Sequence, residues 1–302
     1  MINKNKFVGI DVAKKDFYAC FDENGESKKF NNTPKGINSL VNYLNKDNFS
    51  KQATVIGLES TGSYHLRICV QCAKLGFVIK VINPLIVKKY NQTKLRRVKN
   101  DKKDASLIRY CVAQGAGYPF EDNEETIRLK SLVRQRNSLS NNMLKVKRQN
   151  EDVKYKEDCL NAKIGSVYDE IYEMLRRKAK GLEKQLRVFR KEEQKLLQSI
   201  PGVGPITAIS FIAEIINIKK FEEAKKLVAY IGLDSRVHQS GTSVNGKGYI
   251  SKRGNKILRT RLYNAASVAV LHDNLFRDYF QKKKAEGKAY RDCRQMNKFI
   301  QI

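Results

Sequence analysis

The chain has 302 residues, of which 59 are Lys or Arg and 31 are Asp or Glu, so it carries a formal net charge of +28 and a sequence pI near 9.8. At roughly 100 to 200 residues per domain this is two or three units, and 41% hydrophobic residues suffices for real cores, which excludes a wholly disordered basic protein. So large a positive field excludes a plain small-molecule enzyme and points to a polyanion partner, because each Lys or Arg set against a phosphate releases condensed counterions.

No run approaches the roughly 18 apolar residues of a spanning helix, and the start, Met1 to Phe7, is Asn/Lys-rich without an apolar signal core. Nucleic acid in a cytoplasm is therefore expected rather than a membrane face or export. The six cysteines, Cys20, Cys69, Cys72, Cys111, Cys159 and Cys293, are scattered through the chain. They read as reduced structural thiols, since Cys69-x-x-Cys72 lacks a second pair and three histidines are too few to complete a zinc site.

Residues 1–124 read as an alternating β/α unit. Phe7 to Val12 and Phe17 to Phe21 are strand-like, and Asp22-Glu-Asn-Gly25 supplies a turn into a third strand at Ser27 to Phe30. A helix follows with Ile37, Leu40, Val41 and Leu44 at i, i+3, i+4, i+7; Val55 to Leu58 and Val78 to Ile82 then bracket a helix carrying Leu66, Cys69, Val70 and Ala73. Strands separated by helices predict parallel pairing within a mixed sheet.

This unit also holds the candidate metal ligands. Asp11 interrupts the first strand, Glu59 ends the next apolar strand and is the single acid against ten basic residues in 51–100, and Asp101 and Asp104 lie i, i+3 on one helical face. Phosphoryl transfer on DNA commonly uses metal ions about 4 Å apart, held by carboxylates at strand ends, and hard oxygen ligands select Mg²⁺ or Mn²⁺. Any one of these acids by itself would read as a solvated surface group.

Residues 125–197 change period. Leu129, Leu132, Arg136, Leu139, Met143, Val146, Asn150 and Val153 keep a 3-4 spacing, which resumes from Ile164 through Tyr168, Ile171, Leu175, Lys178, Leu182, Gln185, Phe189 and Glu192 to Leu196. Two long helices are predicted, forming a coiled-coil arm whose polar seam residues Arg136, Asn150, Lys178 and Glu192 set register. Self-association is the expectation and an intramolecular hairpin the alternative.

Residues 198–302 read as a small, mainly helical unit. Ser199-Ile-Pro-Gly-Val-Gly-Pro205 opens a helix with Ile206, Ile209 and Ile212, and Gly202 and Gly204 would let the backbone approach phosphates, as in a helix-hairpin-helix. Val237 to Tyr249 reads as a loop or ribbon. It leads through Ile250-Ser-Lys-Arg-Gly-Asn255 into a helix with Leu258, Leu262, Ala265 and Ala269. Ser251 is a candidate nucleophile, with Lys252, Arg253 and Arg259 able to neutralise a pentavalent phosphorane, or else a helix N-cap. Ser240, Thr242 and Ser243 are the rival hydroxyls, and His238 a candidate base.

Phe7-Val-Gly-Ile-Asp-Val-Ala-Lys14, Gly57-Leu-Glu-Ser-Thr-Gly62, Lys99-Asn-Asp-Lys-Lys-Asp-Ala105, Ile200-Pro-Gly-Val-Gly-Pro205 and Ile250-Ser-Lys-Arg-Gly-Asn255-x-x-Leu-Arg259 follow in that order. Together they resemble the DEDD transposases of the insertion-sequence-110 family over about residues 7 to 270. The resemblance implies a RuvC-like (RNase H-fold) domain at 1–124, a coiled-coil oligomerisation arm at 125–197 and a transposase domain at 198–302. It implies Asp11, Glu59, Asp101 and Asp104 as the acidic quartet binding Mg²⁺ or Mn²⁺, and Ser251 as the catalytic serine forming a phosphoserine intermediate.

Implied partners are donor and target DNA, a bridge RNA that pairs with both, and a homodimer that pairs into a tetramer, in the cytoplasm at the nucleoid. The basic cluster Lys88, Lys89, Lys94, Arg96, Arg97 and Lys99 would then contact RNA. The rival readings are a DNA invertase without guide RNA, a Holliday-junction-type metal-dependent nuclease, and an inactive nucleic-acid-binding remnant. The chain departs from the family at 289–302, where a short polar stretch stands in place of a further apolar helix.

Overall fold

The computed structural model describes residues 6–47, 49–60, 62–92, 101–163, 167–234, 239–240, 244–245 and 250–287, with the backbone alone at 101–103, 239–240 and 244–245. The chain forms two compact units, Met1–Asn123 and Glu124–Ile302.

In the first unit, strands β1 (Lys6–Val12), β2 (Asp16–Cys20) and β3 (Ser27–Asn31) precede helix α1 (Pro34–Lys46), strand β4 (Thr54–Glu59), helix α2 (Leu66–Lys74), strand β5 (Val78–Ile82), helices α3 (Pro84–Gln92) and α4 (Asp101–Ala113), and the two-residue strand β6 (Tyr118–Pro119). The sheet runs β3-β2-β1-β4-β5-β6, with β1, β4 and β5 mutually parallel and the remaining pairs antiparallel. It is the mixed sheet that the strand-helix alternation predicts. Helix α1 starts at Thr33, whose hydroxyl accepts from the Gly36 N–H, with Pro34 at the first helical position, and it buries the predicted Ile37, Leu40, Val41 and Leu44.

Alternation along β1 separates two cores. Val8, Ile10 and Val12 join Ile56, Leu58, α1 and α2 on one face. The other face packs Val55, Ile82 and Val87 against Leu107, Ile108, Cys111 and Val112 of α4. Glycines bring that helix close: a Cβ at Gly9 would lie 2.1 Å from the Arg109 backbone nitrogen and 2.3 Å from the Ala105 carbonyl oxygen. Gly9→Ala is therefore expected to push α4 off the sheet and cost about 3 kcal/mol or more. Urea unfolding with hydrogen exchange confined to Met1–Asn123 would measure it, and a loss under about 1 kcal/mol would refute the close packing.

Cys20, Cys69, Cys72 and Cys111 are buried free thiols and Cys159 is exposed. Burial pushes Cys69 far above the usual thiol range, and pushes Cys72 up to about 12. Such thiols stay protonated and unreactive.

The second unit comprises α5 (Glu124–Leu160), α6 (Tyr168–Leu186), α7 (Lys191–Gln198), α8 (Pro205–Glu214), a 3₁₀ turn at Ile218–Lys220, α9 (Ala224–Ile231), a ribbon of β7 (Gln239–Ser240) and β8 (Val244–Asn245), α10 (Lys256–His272) and α11 (Asn274–Ala285). Helices α5 and α6 pair as an antiparallel hairpin, with the seam residues Leu132, Leu139, Met143 and Val146 half-buried. Arg136 meets Glu183 at 2.6 Å and the Asn150 amide donates to Asp169 at 2.6 Å, so these two seam residues find partners across the hairpin.

The expected second long helix is broken. Arg190 takes a left-handed φ of 44° between α6 and α7, which removes Glu192 and Leu196 from the seam and leaves Leu196 73% exposed. Lys178 is exposed as well. At its base the hairpin shares a cluster with α8, built from Leu129, Val133, Leu186, Ile209, Ile212 and Ala213, so the helices expected as an arm and those expected as a separate domain form one unit. Among the described residues no helix is long and apolar enough to cross a membrane.

Candidate functional site

The acids of the first unit are placed by strand register. Ile10 pairs with Leu58 and Gly9 with Gly57, so Asp11 and Glu59 come next in line on adjacent parallel strands, roughly 4.8 Å apart. With a side-chain period of two they share the face of Gly9 and Gly57, against which α4 packs. Ala105 and Arg109 lie over Gly9, and the Arg109 guanidinium donates back to the Phe7 carbonyl at 3.1 Å. Helix α4 therefore crosses β1 at Gly9, and its first turn carries Asp104. A helix N-terminus stabilises such carboxylates through its dipole.

The register thus brings Asp11 and Glu59 to one end of one sheet face, and Asp104 lies on the helix packed against that face. The side chain of Asp101 lies outside the described residues. Among those described, no three His, Cys, Asp or Glu side chains form a group that could hold a metal ion. The donors the backbone does gather are carboxylates only, a chemistry that fits Mg²⁺ or Mn²⁺ and not a thiol- or imidazole-seeking ion. Lys88 and Lys89 stand exposed on α3, whereas Lys94, Arg96, Arg97 and Lys99 lie outside the described residues.

In the second unit Ser251 sits in a turn zipped to the end of α9. Its N–H donates to the Asp234 carbonyl at 2.8 Å, Lys252 N–H to Gly232 at 3.1 Å, and Asn255 N–H to Tyr230 at 3.1 Å. Two glycines allow this approach, since a Cβ at Gly232, where φ is +78°, would lie 2.5 Å from the Gly254 nitrogen, and one at Gly254 would lie 2.2 Å from the Tyr230 oxygen. Lys252 adopts a left-handed φ of 54° beside the serine, a conformation that costs a non-glycine residue about 1 kcal/mol.

Ser251 is not the cap of α10. Asn255 takes that role, its side-chain oxygen accepting from the Ile257 and Leu258 N–H groups. Its amide nitrogen donates to Glu214 at 2.8 Å, and the buried Glu214 carboxylate is bound bidentately by Arg134 at 3.1 Å. The serine hydroxyl instead donates to Asp234 at 2.5 Å and accepts from the Arg253 N–H at 3.3 Å. Ser251 is buried, and Lys252 and Arg253 beside it are exposed.

Two expected phosphate contacts have structural duties. One Arg259 nitrogen donates to the Ile231 carbonyl at 2.9 Å and to Gly254 at 3.4 Å, fastening the turn. Gly202, at φ +82°, faces α10, where a Cβ would lie 2.1 Å from the Ala265 oxygen, so helix packing accounts for this glycine. Gly204 caps α8 and has open space on its Cβ side. His238, Thr242 and Ser243, and the side chain of Ser240, lie outside the described residues. Asp234, Glu214 and Arg134 escape sequence reasoning. Asn before Lys256-Ile257 was a legible N-cap signal, but nothing local links Asp234 to a residue 17 positions on.

A family model described as a transposase, of the DEDD type of IS110, matches residues 8–153, and one described as the transposase IS116/IS110/IS902 family matches residues 194–281. The pilin gene-inverting protein of Moraxella bovis is 26% identical over 296 residues, covering 93% of this chain and 88% of its own. The transposase for insertion sequence element IS1111A of Coxiella burnetii is 26% identical over 330 residues, covering 97% and 85%. The 44.8 kDa protein of insertion element IS116 of Streptomyces clavuligerus is 30% identical over 100 residues, covering 33% and 25%. The first family match spans Asp11 through Asp104, and the second spans Asp234 and Ser251.

Proposed function

Because the chain belongs to the IS110 family of DEDD transposases, enzymes that act on the DNA of mobile elements, we propose that it is an RNA-guided recombinase that cuts and rejoins donor and target DNA through a phosphoserine link on Ser251. The observation that carries this reading is the serine turn, in which the hydroxyl is withheld from capping α10 and flanked by two exposed cations, Lys252 and Arg253. Attack by Oγ on a backbone phosphate keeps a phosphodiester bond in the covalent link, so rejoining needs no external energy source. Lys252 and Arg253 would offset charge gathering on the phosphate oxygens.

In this reading the first unit is RuvC-like, and Asp11, Glu59, Asp101 and Asp104 hold Mg²⁺ or Mn²⁺, which when bound supplies charge neutralisation at the scissile phosphate. The protein's part is to fix the oxygens: Asp11 and Glu59 through the parallel register of β1 and β4, Asp104 through a helix that Gly9 admits against the sheet. The turn between α7 and α8, with Gly204 open to its surroundings, is the DNA grip. The active species is a homodimer that pairs into a tetramer, in the bacterial cytoplasm at the nucleoid. Base readout is delegated to RNA pairing, while Lys88, Lys89 and the lysines and arginines that follow neutralise the RNA backbone.

A second reading, DNA inversion without a guide, is favoured by the printed name of the pilin gene-inverting relative. Sequencing of RNA that copurifies with the protein separates them. A single defined RNA with segments complementary to the DNA flanking the gene is the expected result, and random RNA supports inversion. Lys88→Ala with Lys89→Ala is expected to flatten the salt dependence of RNA binding by about one unit per lost phosphate contact, and an unchanged slope would place the RNA elsewhere.

A further inference from the structure

The turn that presents Ser251 also presents a carboxylate that lies outside every sequence motif. Asp234 Oδ1 receives the serine hydroxyl at 2.5 Å, and the pair is formed at a buried serine, where a hydrogen bond is electrostatically stronger than in water. A hydroxyl has one hydrogen, and Arg253 N–H approaches Oγ as a donor, so the serine proton is aimed at Asp234.

This side-chain bond is not what holds the turn. Three backbone bonds, the contact of Gly232 with Gly254, the Arg259 clamp and the Asn255–Glu214 bond already do so. The left-handed Lys252 then adds a backbone cost at the next residue, which a mere connecting turn has no use for.

We propose that Asp234 is the general base that takes the Ser251 proton during attack on DNA and returns it during rejoining, an inference that rests on Ser251 being the nucleophile. As the Oγ–P bond forms, the hydroxyl proton passes to Asp234 Oδ1. The bond between phosphorus and one bridging oxygen of the DNA breaks, and that oxygen takes a proton from solvent. In rejoining, a DNA hydroxyl attacks the phosphoserine and loses its proton to solvent, the Oγ–P bond breaks, and Asp234 reprotonates Oγ. No electron transfer or co-reactant is involved.

The test uses the full chain with its copurifying RNA, Mg²⁺, and a supercoiled plasmid carrying the gene with its own flanking DNA. Single-turnover formation of denaturant-resistant protein–DNA adduct is compared for wild type, Asp234→Asn, Asp234→Glu and Ser251→Ala. Asparagine keeps an accepting oxygen but cannot take the proton, so the rate is expected to fall about 10²- to 10⁴-fold at saturating DNA, with DNA binding and melting temperature retained. Asp234→Glu, which keeps a carboxylate, should recover part of that loss.

Adduct formation by Asp234→Asn at the wild-type rate overturns the proposal while leaving Ser251 as nucleophile. Should Asp234→Asn fail to fold, the glutamate variant decides: a folded, DNA-binding Asp234→Glu with no adduct-forming advantage over Ser251→Ala also overturns it. A wild type that cuts DNA yet never forms an adduct overturns both this inference and the recombinase reading.

Discussion

Ser251→Ala is expected to abolish the covalent protein–DNA adduct and strand exchange, a loss of at least about a thousand-fold, because removing the nucleophile of a covalent mechanism leaves only binding and electrostatic stabilisation. Folding should survive. The backbone-to-backbone bonds of the turn do not use the hydroxyl, and Asn255 still caps α10. The structural cost is that half-buried Asp234 loses its donor and the Arg253 N–H its acceptor, about 1 to 3 kcal/mol. Gel mobility after denaturation reads the adduct directly. An adduct that persists in Ser251→Ala would move the nucleophile into residues 235–249, where Ser240→Ala and Ser243→Ala identify it. If those two variants behave as wild type and Ser251→Ala alone fails, the assignment stands.

Asp11→Asn and Asp104→Asn are each expected to remove Mg²⁺-dependent cleavage by about a hundred-fold or more while nucleic-acid binding persists. Each substitution takes a negative oxygen from the set that would hold the ion, and charge neutralisation of that kind contributes several kcal/mol to the transition state. Asparagine is close to aspartate in shape, and both positions lie at the edge of the packed face rather than within its apolar cluster, so the loss should appear in cleavage and not in melting. The measurement is initial cleavage rate against Mg²⁺ concentration with DNA binding followed in parallel. Near-normal cleavage by both variants would dismiss the carboxylates as a working set.

How much of this was readable without the fold varies by kind of feature. The strands Lys6–Val12, Thr54–Glu59 and Val78–Ile82 and helix α1 were legible because each carries its own periodicity, a property of consecutive residues. The break at Arg190 was not, since neither Gly nor Pro marks it and the 3-4 spacing runs on through Leu196. Arg136 and Asn150 read, from spacing alone, as register-setting residues of a seam. Their partners proved to be Glu183 and Asp169 of the same chain. A heptad pattern records that a face is covered, and leaves open whether the cover comes from the next helix or from a second copy.

The sequence by itself determined the charge that calls for a polyanion, the strand ends on which Asp11 and Glu59 fall, and the place of Ser251 just ahead of a helix. These are local facts, set by composition and by the spacing of neighbours. The tertiary structure alone decided what meets what. It packed the helix that carries Asp104 against the sheet at Gly9, spent Gly202 on packing against α10, and closed the gap between Asp234 and Ser251 to 2.5 Å. The physical reason is that glycine specifies a missing Cβ but not the neighbour that takes the space, and an aspartate specifies an acceptor but not its donor. Such pairings are settled by backbone register and helix packing, which depend on the whole unit.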